Sequence, residues 1–126
     1  MSTQTSFVTD EVLGDLGAIT RAQADALPFG AVKVDEDGTI LLYNKYESDL
    51  AGVAPGDAEG QVFFTEVAPC TNNRMFFGKF QDGIEADELD ELFDYTFSYR
   101  MSPTLVSIHM RRDADSDSNW IFVKKS

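Results

Sequence analysis

A regular alternation of large apolar and polar side chains near the C-terminal end constrains the fold most. Between positions 93 and 101, every second residue is large and apolar and the residues between them are polar. This period of two is typical of a β-strand with one apolar face and one polar face. The apolar residues are Phe93, Tyr95, Phe97, Tyr99 and Met101. A strand of this kind needs a sheet and a covering layer, so helices are expected on one side of it.

Similar patterns predict the other elements. The link Asp35-Glu36-Asp37-Gly38 is a hairpin signal, because Asp and Gly tolerate tight-turn geometry. A helix is expected over 75–86, where Phe76, Phe80 and Ile84 recur every four residues. Short helical turns are expected before residue 28, the first with Asp10 as N-cap, and irregular structure is expected over 45–64. Together with the strands predicted at 29–34, 39–44, 93–101, 104–111 and 120–124, this gives an α+β fold.

Length and charge limit the classes of function. The 126 residues predict one structural domain, with an N-terminal helical cap over 1–28 and a core over 29–126. With 22 acidic and 10 basic residues, the net charge of −12 repels nucleic acid and anionic membranes, so neither is an expected partner. We find no apolar run of about 20 residues and no secretory signal pattern, and we expect a cytoplasmic location.

Cys70 is the single cysteine, so it cannot form an intramolecular disulfide. A thiol of this kind is often a small buried hydrophobe, and this alternative stays open. A nucleophilic cysteine needs a base, and His109 is the only histidine. Because His109 falls on the polar face of a predicted strand, we expect it at the surface. A metal site or a cysteine-dependent enzyme therefore has little support.

Tyr43 and Glu47 are four residues apart, so one helical turn would bring them side by side. A glutamate on a short helix is usually solvated. If Glu47 instead faces the core, loss of water raises its pKa and keeps it protonated. The phenol and the carboxyl could then both donate hydrogen bonds to one buried anion.

Four segments of the chain resemble the photoactive yellow protein family. They are 43–47, 63–71 with Ala68-Pro69-Cys70-Thr71, 95–104 and 120–124. The resemblance runs in order over nearly the whole chain. It implies a PAS domain, in which a five-stranded antiparallel sheet has helices on one side and an N-terminal helical cap on the other. It also implies a blue-light photoreceptor, not an enzyme, with a 4-hydroxycinnamoyl (p-coumaroyl) chromophore.

The resemblance assigns roles to individual residues. Cys70 would carry the chromophore as a thioester, and Tyr43 and Glu47 would hydrogen-bond its phenolate. Glu47 would also donate the proton that leads to partial unfolding of the cap, the signalling state. Phe97, Tyr99 and Met101 would line the pocket. A monomer and an unidentified downstream signalling protein are expected; the alternative is a PAS interaction module without a chromophore.

Two positions depart from the family type, which has Thr at the position of Ala51 and Arg at that of Val53. In the family, the threonine hydroxyl bonds the tyrosine beside the phenolate, and the arginine shields the chromophore from solvent. Neither group is present in this chain, so the phenolate charge is expected to be less localised and the absorption to lie at longer wavelength.

Ala51 provides a direct test of this expected shift. The substitution Ala51→Thr restores a hydroxyl that can localise the phenolate charge. The visible absorption band of the chromophore should therefore move to the blue. The absorption spectrum of the chromophore-loaded variant measures this shift. An unchanged or red-shifted band would contradict the argument.

Overall fold

The computed structural model describes residues 7–97, 103–113 and 115–125, and these form a five-stranded antiparallel sheet flanked by helices. The strand order is β2-β1-β5-β4-β3, so the last strand of the chain is central and β2 and β3 are the edges. The α+β PAS architecture predicted from the sequence is confirmed. The strands are β1 Gly30–Val34, β2 Ile40–Tyr43, β3 Asp90–Phe97, β4 Thr104–Asp113 and β5 Ser118–Lys125.

Backbone pairing starts β3 earlier than its side-chain pattern predicted and extends β4 and β5 beyond their predicted bounds. In β3, Asp90 pairs with Arg111 and Phe97 pairs with Thr104. The ladder therefore starts three residues before the predicted position 93. A strand can continue through polar residues wherever its neighbour supplies hydrogen bonds, which the alternation of side chains does not reveal. The predicted pocket residues Tyr99 and Met101 lie outside the described residues.

Short helices and helical turns cover one face of the sheet. The helices are α3 Lys45–Ala51, α4 Pro55–Ala58 and α5 Lys79–Glu85. Between them lie two wide π-helical turns, Phe63–Val67 and Arg74–Gly78, and a 3₁₀ turn, Pro69–Thr71. The helix predicted over 75–86 is therefore a π turn followed by α5.

Aromatic side chains fill the space between these helices and the sheet. Phe76 is fully buried at its centre. Its ring contacts three phenylalanines and a tyrosine edge-on or tilted, with centroids 5.1–6.2 Å apart, and stacks on Phe97 at 6.3 Å. The four are Phe63, Phe64, Phe93 and Tyr95. The predicted aromatic face of β3 thus forms one wall of this core.

The N-terminal segment covers the opposite face of the sheet, as the resemblance implied. It contains α1 Asp10–Leu13 and α2 Arg21–Asp25 and packs on Trp120 and Phe122. Trp120 donates from Nε1 to the carbonyl of Leu16 at 3.2 Å. The N-cap of α1 is Thr9, not Asp10, because the Thr9 hydroxyl accepts from the Val12 amide. The division at residue 28 remains a prediction.

Length and polarity separate all of these helices from membrane spans. Within the described ranges, none is both long and apolar enough to traverse a bilayer.

Phe76 and its neighbour Met75 test how much the aromatic core contributes. Phe76→Ala should lower the free energy of unfolding by about 3–5 kcal/mol, because it leaves a cavity among the aromatic rings. Met75 is 64% exposed, and Met75→Ala should change it by less than about 0.5 kcal/mol. Urea unfolding of both variants measures the difference. Equal losses would contradict this account of the core.

Candidate functional site

A narrow cavity with a volume of about 10 Å³, room for about one water molecule, lies between the sheet and the helical layer. It brings together five of the eight residues predicted for the site: Tyr43, Glu47, Ala51, Cys70 and Phe97. Val67 and Ala68, which the sequence did not single out, complete its lining. Val53 packs beside the same core, and we do not find it in the cavity wall.

Asn44 places Tyr43 and Glu47 at the cavity. The chain leaves β2 at Tyr43 and enters α3 with the Asn44 side chain as N-cap. Its Oδ1 accepts from the amides of Glu47 at 3.1 Å and Ala31 at 2.9 Å. Its Nδ2 donates to the carbonyls of Ala24 and Phe29. All four bonds are buried, so the strand-to-helix junction is fixed relative to β1 and to the N-terminal segment.

Two polar atoms at this junction have no hydrogen-bond partner in the described part of the chain. They are the hydroxyl oxygen of Tyr43 and Oε1 of Glu47, and both are buried. Leaving such a group unpaired costs about 1–3 kcal/mol. Since both residues line one cavity, the arrangement fits a polar group bound between them.

The electrostatics of Glu47 follow from its burial, since its side chain is almost inaccessible to water. Loss of solvation raises the pKa of Glu47 from 4.5 to about 8. Burial, and then the nearby Glu47 charge, raise the pKa of Tyr43 well above its ordinary value. Both groups are thus protonated at neutral pH and can donate hydrogen bonds. The solvated alternative for Glu47 is wrong.

Gly30 makes room for the Glu47 carboxyl, which the sequence analysis missed. A Cβ placed on Gly30 would collide with Oε1 of Glu47 and come within 3.1 Å of the Val123 carbonyl. A glycine inside a predicted strand often marks such a close approach, so the signal was present in the sequence. What the sequence could not show is which distant side chain occupies the space.

Cys70 lies on the Pro69–Thr71 turn, and two side chains hold its main chain. The hydroxyl of Tyr95 donates to the Cys70 carbonyl at 2.5 Å, and the Asn73 amide donates to it at 3.2 Å. Tyr95, which the sequence analysis placed on the apolar face of its strand, therefore also binds the main chain at Cys70. These contacts fix where the partly buried thiol enters the cavity wall.

His109 is buried, contrary to the expectation that it lies at the surface, because the N-terminal segment covers that side of the sheet. Its Nε2 lies 2.8 Å from Oδ1 of Asp90. Its strand neighbours Ile108 and Met110 belong to the core between the sheet and helices α3–α5, against which Cys70 packs. Since neighbours in a strand point to opposite faces, His109 cannot serve Cys70 as a base. Nor do the described residues contain a cluster of three or more metal-binding side chains.

Comparison with known proteins confirms the family resemblance. The PAS fold family model matches residues 18–123. A photoactive yellow protein from Rhodothalassium salexigens is 44% identical over 119 residues, which are 94% of this chain and 95% of that protein. One from Halochromatium salexigens is 38% identical with the same coverage. The crystal structure of the photoactive yellow protein domain of the sensor histidine kinase Ppr from Rhodospirillum centenum is 46% identical. It covers 89% of this chain and 98% of its own, with a TM-score of 0.83.

Stability should report the protonation of Glu47. The folded protein holds this proton up to about pH 8, and the unfolded chain only to about 4.5. The stabilisation that comes from protonated Glu47 is thus complete below about pH 4.5 and is lost as the pH rises through about 8. Compared with Glu47→Gln, the free energy of unfolding of the parent chain should fall by on the order of 1 kcal/mol per unit between about pH 5 and pH 7.

Urea unfolding at several pH values measures this difference. Glu85→Gln, which alters an exposed carboxyl, is the control and should keep the pH profile of the parent chain. Parallel profiles for the parent chain and Glu47→Gln would show that Glu47 is already ionised in the folded protein.

Proposed function

The chain belongs to the photoactive yellow protein family of PAS domains, and we propose on this basis that Cys70 carries a 4-hydroxycinnamoyl group as a thioester. The protein is a photoreceptor and not an enzyme. We further propose that the protein is cytoplasmic and that its partner is a signalling protein. A sensor histidine kinase contains a similar domain, which supports a role in signal transfer.

One observation carries the choice of chromophore site. Tyr43 and Glu47 each present an unpartnered buried polar atom, and both line the cavity that Cys70 also lines. A group attached to the thiol and ending in an acidic hydroxyl would meet two protonated donors. Charge-assisted hydrogen bonds are about twice as strong as neutral ones, so these donors favour an ionised oxygen. The same pair would remain a cost to stability without such a partner.

When bound, the 4-hydroxycinnamoyl group supplies blue-light absorption and a double bond that isomerises. The protein supplies the rest. Tyr43 and Glu47 hold the distal oxygen, and the Pro69–Thr71 turn fixes the anchoring end at Cys70. Phe97 excludes water from the cavity. Tyr99 and Met101 are assigned to the same lining on the family resemblance alone.

Glu47 is the proposed proton donor. Its buried carboxyl holds the proton in the dark and would transfer it, after illumination, to the ionised distal oxygen of the bound group. The carboxylate left behind lies in an apolar site, where an unpaired charge is strongly destabilising. The Glu47 amide bonds Asn44, and Asn44 bonds the Ala24 carbonyl in the N-terminal segment. An unpaired charge on Glu47 can therefore loosen the N-terminal segment, and the loosened form is the proposed signalling state.

Ala51 belongs to the cavity wall and brings no hydroxyl to it. Tyr43 therefore gains no side-chain partner from this position, which supports the expected shift to longer wavelength. Val53 packs beside the core and has no charge to shield the chromophore.

Reconstitution tests the proposed function. The purified chain, treated with activated 4-hydroxycinnamate, should gain a thiol-linked blue absorption band that light bleaches and darkness restores. Cys70→Ser should stay colourless, because its hydroxyl is a far weaker nucleophile than a thiol. Glu47→Gln should keep the colour and alter the photocycle, since an amide cannot donate the proton. A colourless parent protein would instead support the PAS interaction module, and an unchanged photocycle in Glu47→Gln would remove the donor role.

A further inference from the structure

We propose that Arg21 and Glu59 are positioning residues for Tyr43, and that they form a clasp over the edge of the sheet that couples the N-terminal segment to the cavity. The geometry of the clasp is independent of any chromophore. Its consequence for the light response rests on the function proposed above.

The first half of the clasp is the bond between Glu59 and the Tyr43 main chain. β2 is an edge strand, so amides on its outer side lack a strand partner. The Tyr43 amide donates to Oε2 of Glu59 at 3.1 Å. Glu59 directly follows α4, which packs through Ala58 on the face of the sheet that carries the cavity. The carboxylate therefore fixes the main chain of a residue whose hydroxyl lines the cavity.

The second half comes from the opposite face of the sheet. Arg21 is the first residue of α2, and α2 packs through Ala24 on the face covered by the N-terminal segment. Its Nη2 donates at 2.5 Å to Oε2 of Glu59, the same oxygen that accepts from Tyr43. This hydrogen bond raises the pKa of Arg21 further above its ordinary value. The two layers thus meet around the edge of β2 at one oxygen atom.

Helix α2 also holds the two residues that follow Tyr43. The carbonyl of Ala24 accepts from the Asn44 side chain at 2.7 Å. Oδ1 of Asp25 accepts from the Lys45 amide at 2.8 Å. α2 is therefore linked to three successive residues. It reaches Tyr43 through Glu59, and it bonds Asn44 and Lys45 directly.

The ion pair of the clasp is partly exposed, so its contribution to stability is small and it can break. The Arg21 and Glu59 side chains are 49% and 25% exposed, and water screens a pair of this kind. The pair also orients the acceptor of a strand amide, so losing Arg21 should loosen Tyr43. Coupling of this kind is reciprocal: a change that displaces Tyr43 should weaken the hold on α2 by the same factor.

Amide hydrogen exchange tests the clasp in the full chain without added chromophore. Arg21→Ala should speed exchange of the Tyr43 amide by about threefold, the effect of a lost partly exposed ion pair. The amides of Ile108 and Val123 in the central strands should not change. Arg111→Ala, which removes a similar pair with Asp90, should leave the Tyr43 amide unaffected. Arg21→Lys should restore part of the protection.

A second background separates positioning from general stabilisation. In Glu59→Ala the Tyr43 amide should already exchange faster, and adding Arg21→Ala should have no further effect on it. An unchanged Tyr43 amide in Arg21→Ala would overturn the proposal. The proposal would also be overturned if Arg21→Ala accelerated exchange of the Tyr43 amide as much in the Glu59→Ala background as in the parent chain. A uniform acceleration of exchange across the central strands would overturn it as well.

A final readout uses the chromophore-loaded protein. Arg21→Ala should change the dark recovery rate by about threefold, and Arg111→Ala should not. If the parent chain takes up no chromophore, the proposed function fails while the exchange result still decides the clasp. If colour forms and the recovery rate of Arg21→Ala matches that of the parent, the coupling to the cavity is refuted.

Discussion

The buried side chain of Asn44 is the constraint on which the rest of the site depends. Its amide makes four hydrogen bonds, which reach β1, α3 and the N-terminal segment. A buried amide with some of these bonds missing would be costly, so the junction has one favourable arrangement. In that arrangement Tyr43 and Glu47 are brought to one cavity and deprived of water. Their raised pKa values are thus a product of backbone geometry as much as of the residues themselves.

The aromatic core has a different task, which is to hold an irregular segment in place. The chain from Phe63 to Gly78 forms two π turns and a 3₁₀ turn, none of which is stable alone. Packing around Phe76 compensates for the poor hydrogen-bond geometry. Tyr95 then joins this core to the Cys70 carbonyl. The position of the Cys70 main chain is therefore fixed by a strand of the sheet.

Local patterns predicted the parts of the molecule that local physics determines. The alternation from Phe93 to Met101 predicted a strand, which the structure describes as far as Phe97. The spacing of Tyr43 and Glu47 predicted that they lie side by side, and both line one cavity. Contacts between distant segments could not be predicted in the same way. The approach of Gly30 to Glu47 and the pair Arg21–Glu59 depend on how layers pack, and one sequence does not encode that as a pattern. His109 was misjudged because alternation reveals two faces of a strand but not that both are covered.

The missing side chain of Gly30 makes positions 30 and 47 share one volume. A Cβ at position 30 would displace the Glu47 carboxyl and would lie 3.1 Å from the Val123 carbonyl oxygen. The two positions should therefore vary together, in evolution and in any redesign of the pocket. In this chain, the small residue of β1 and the buried acid of α3 therefore form a single packing unit.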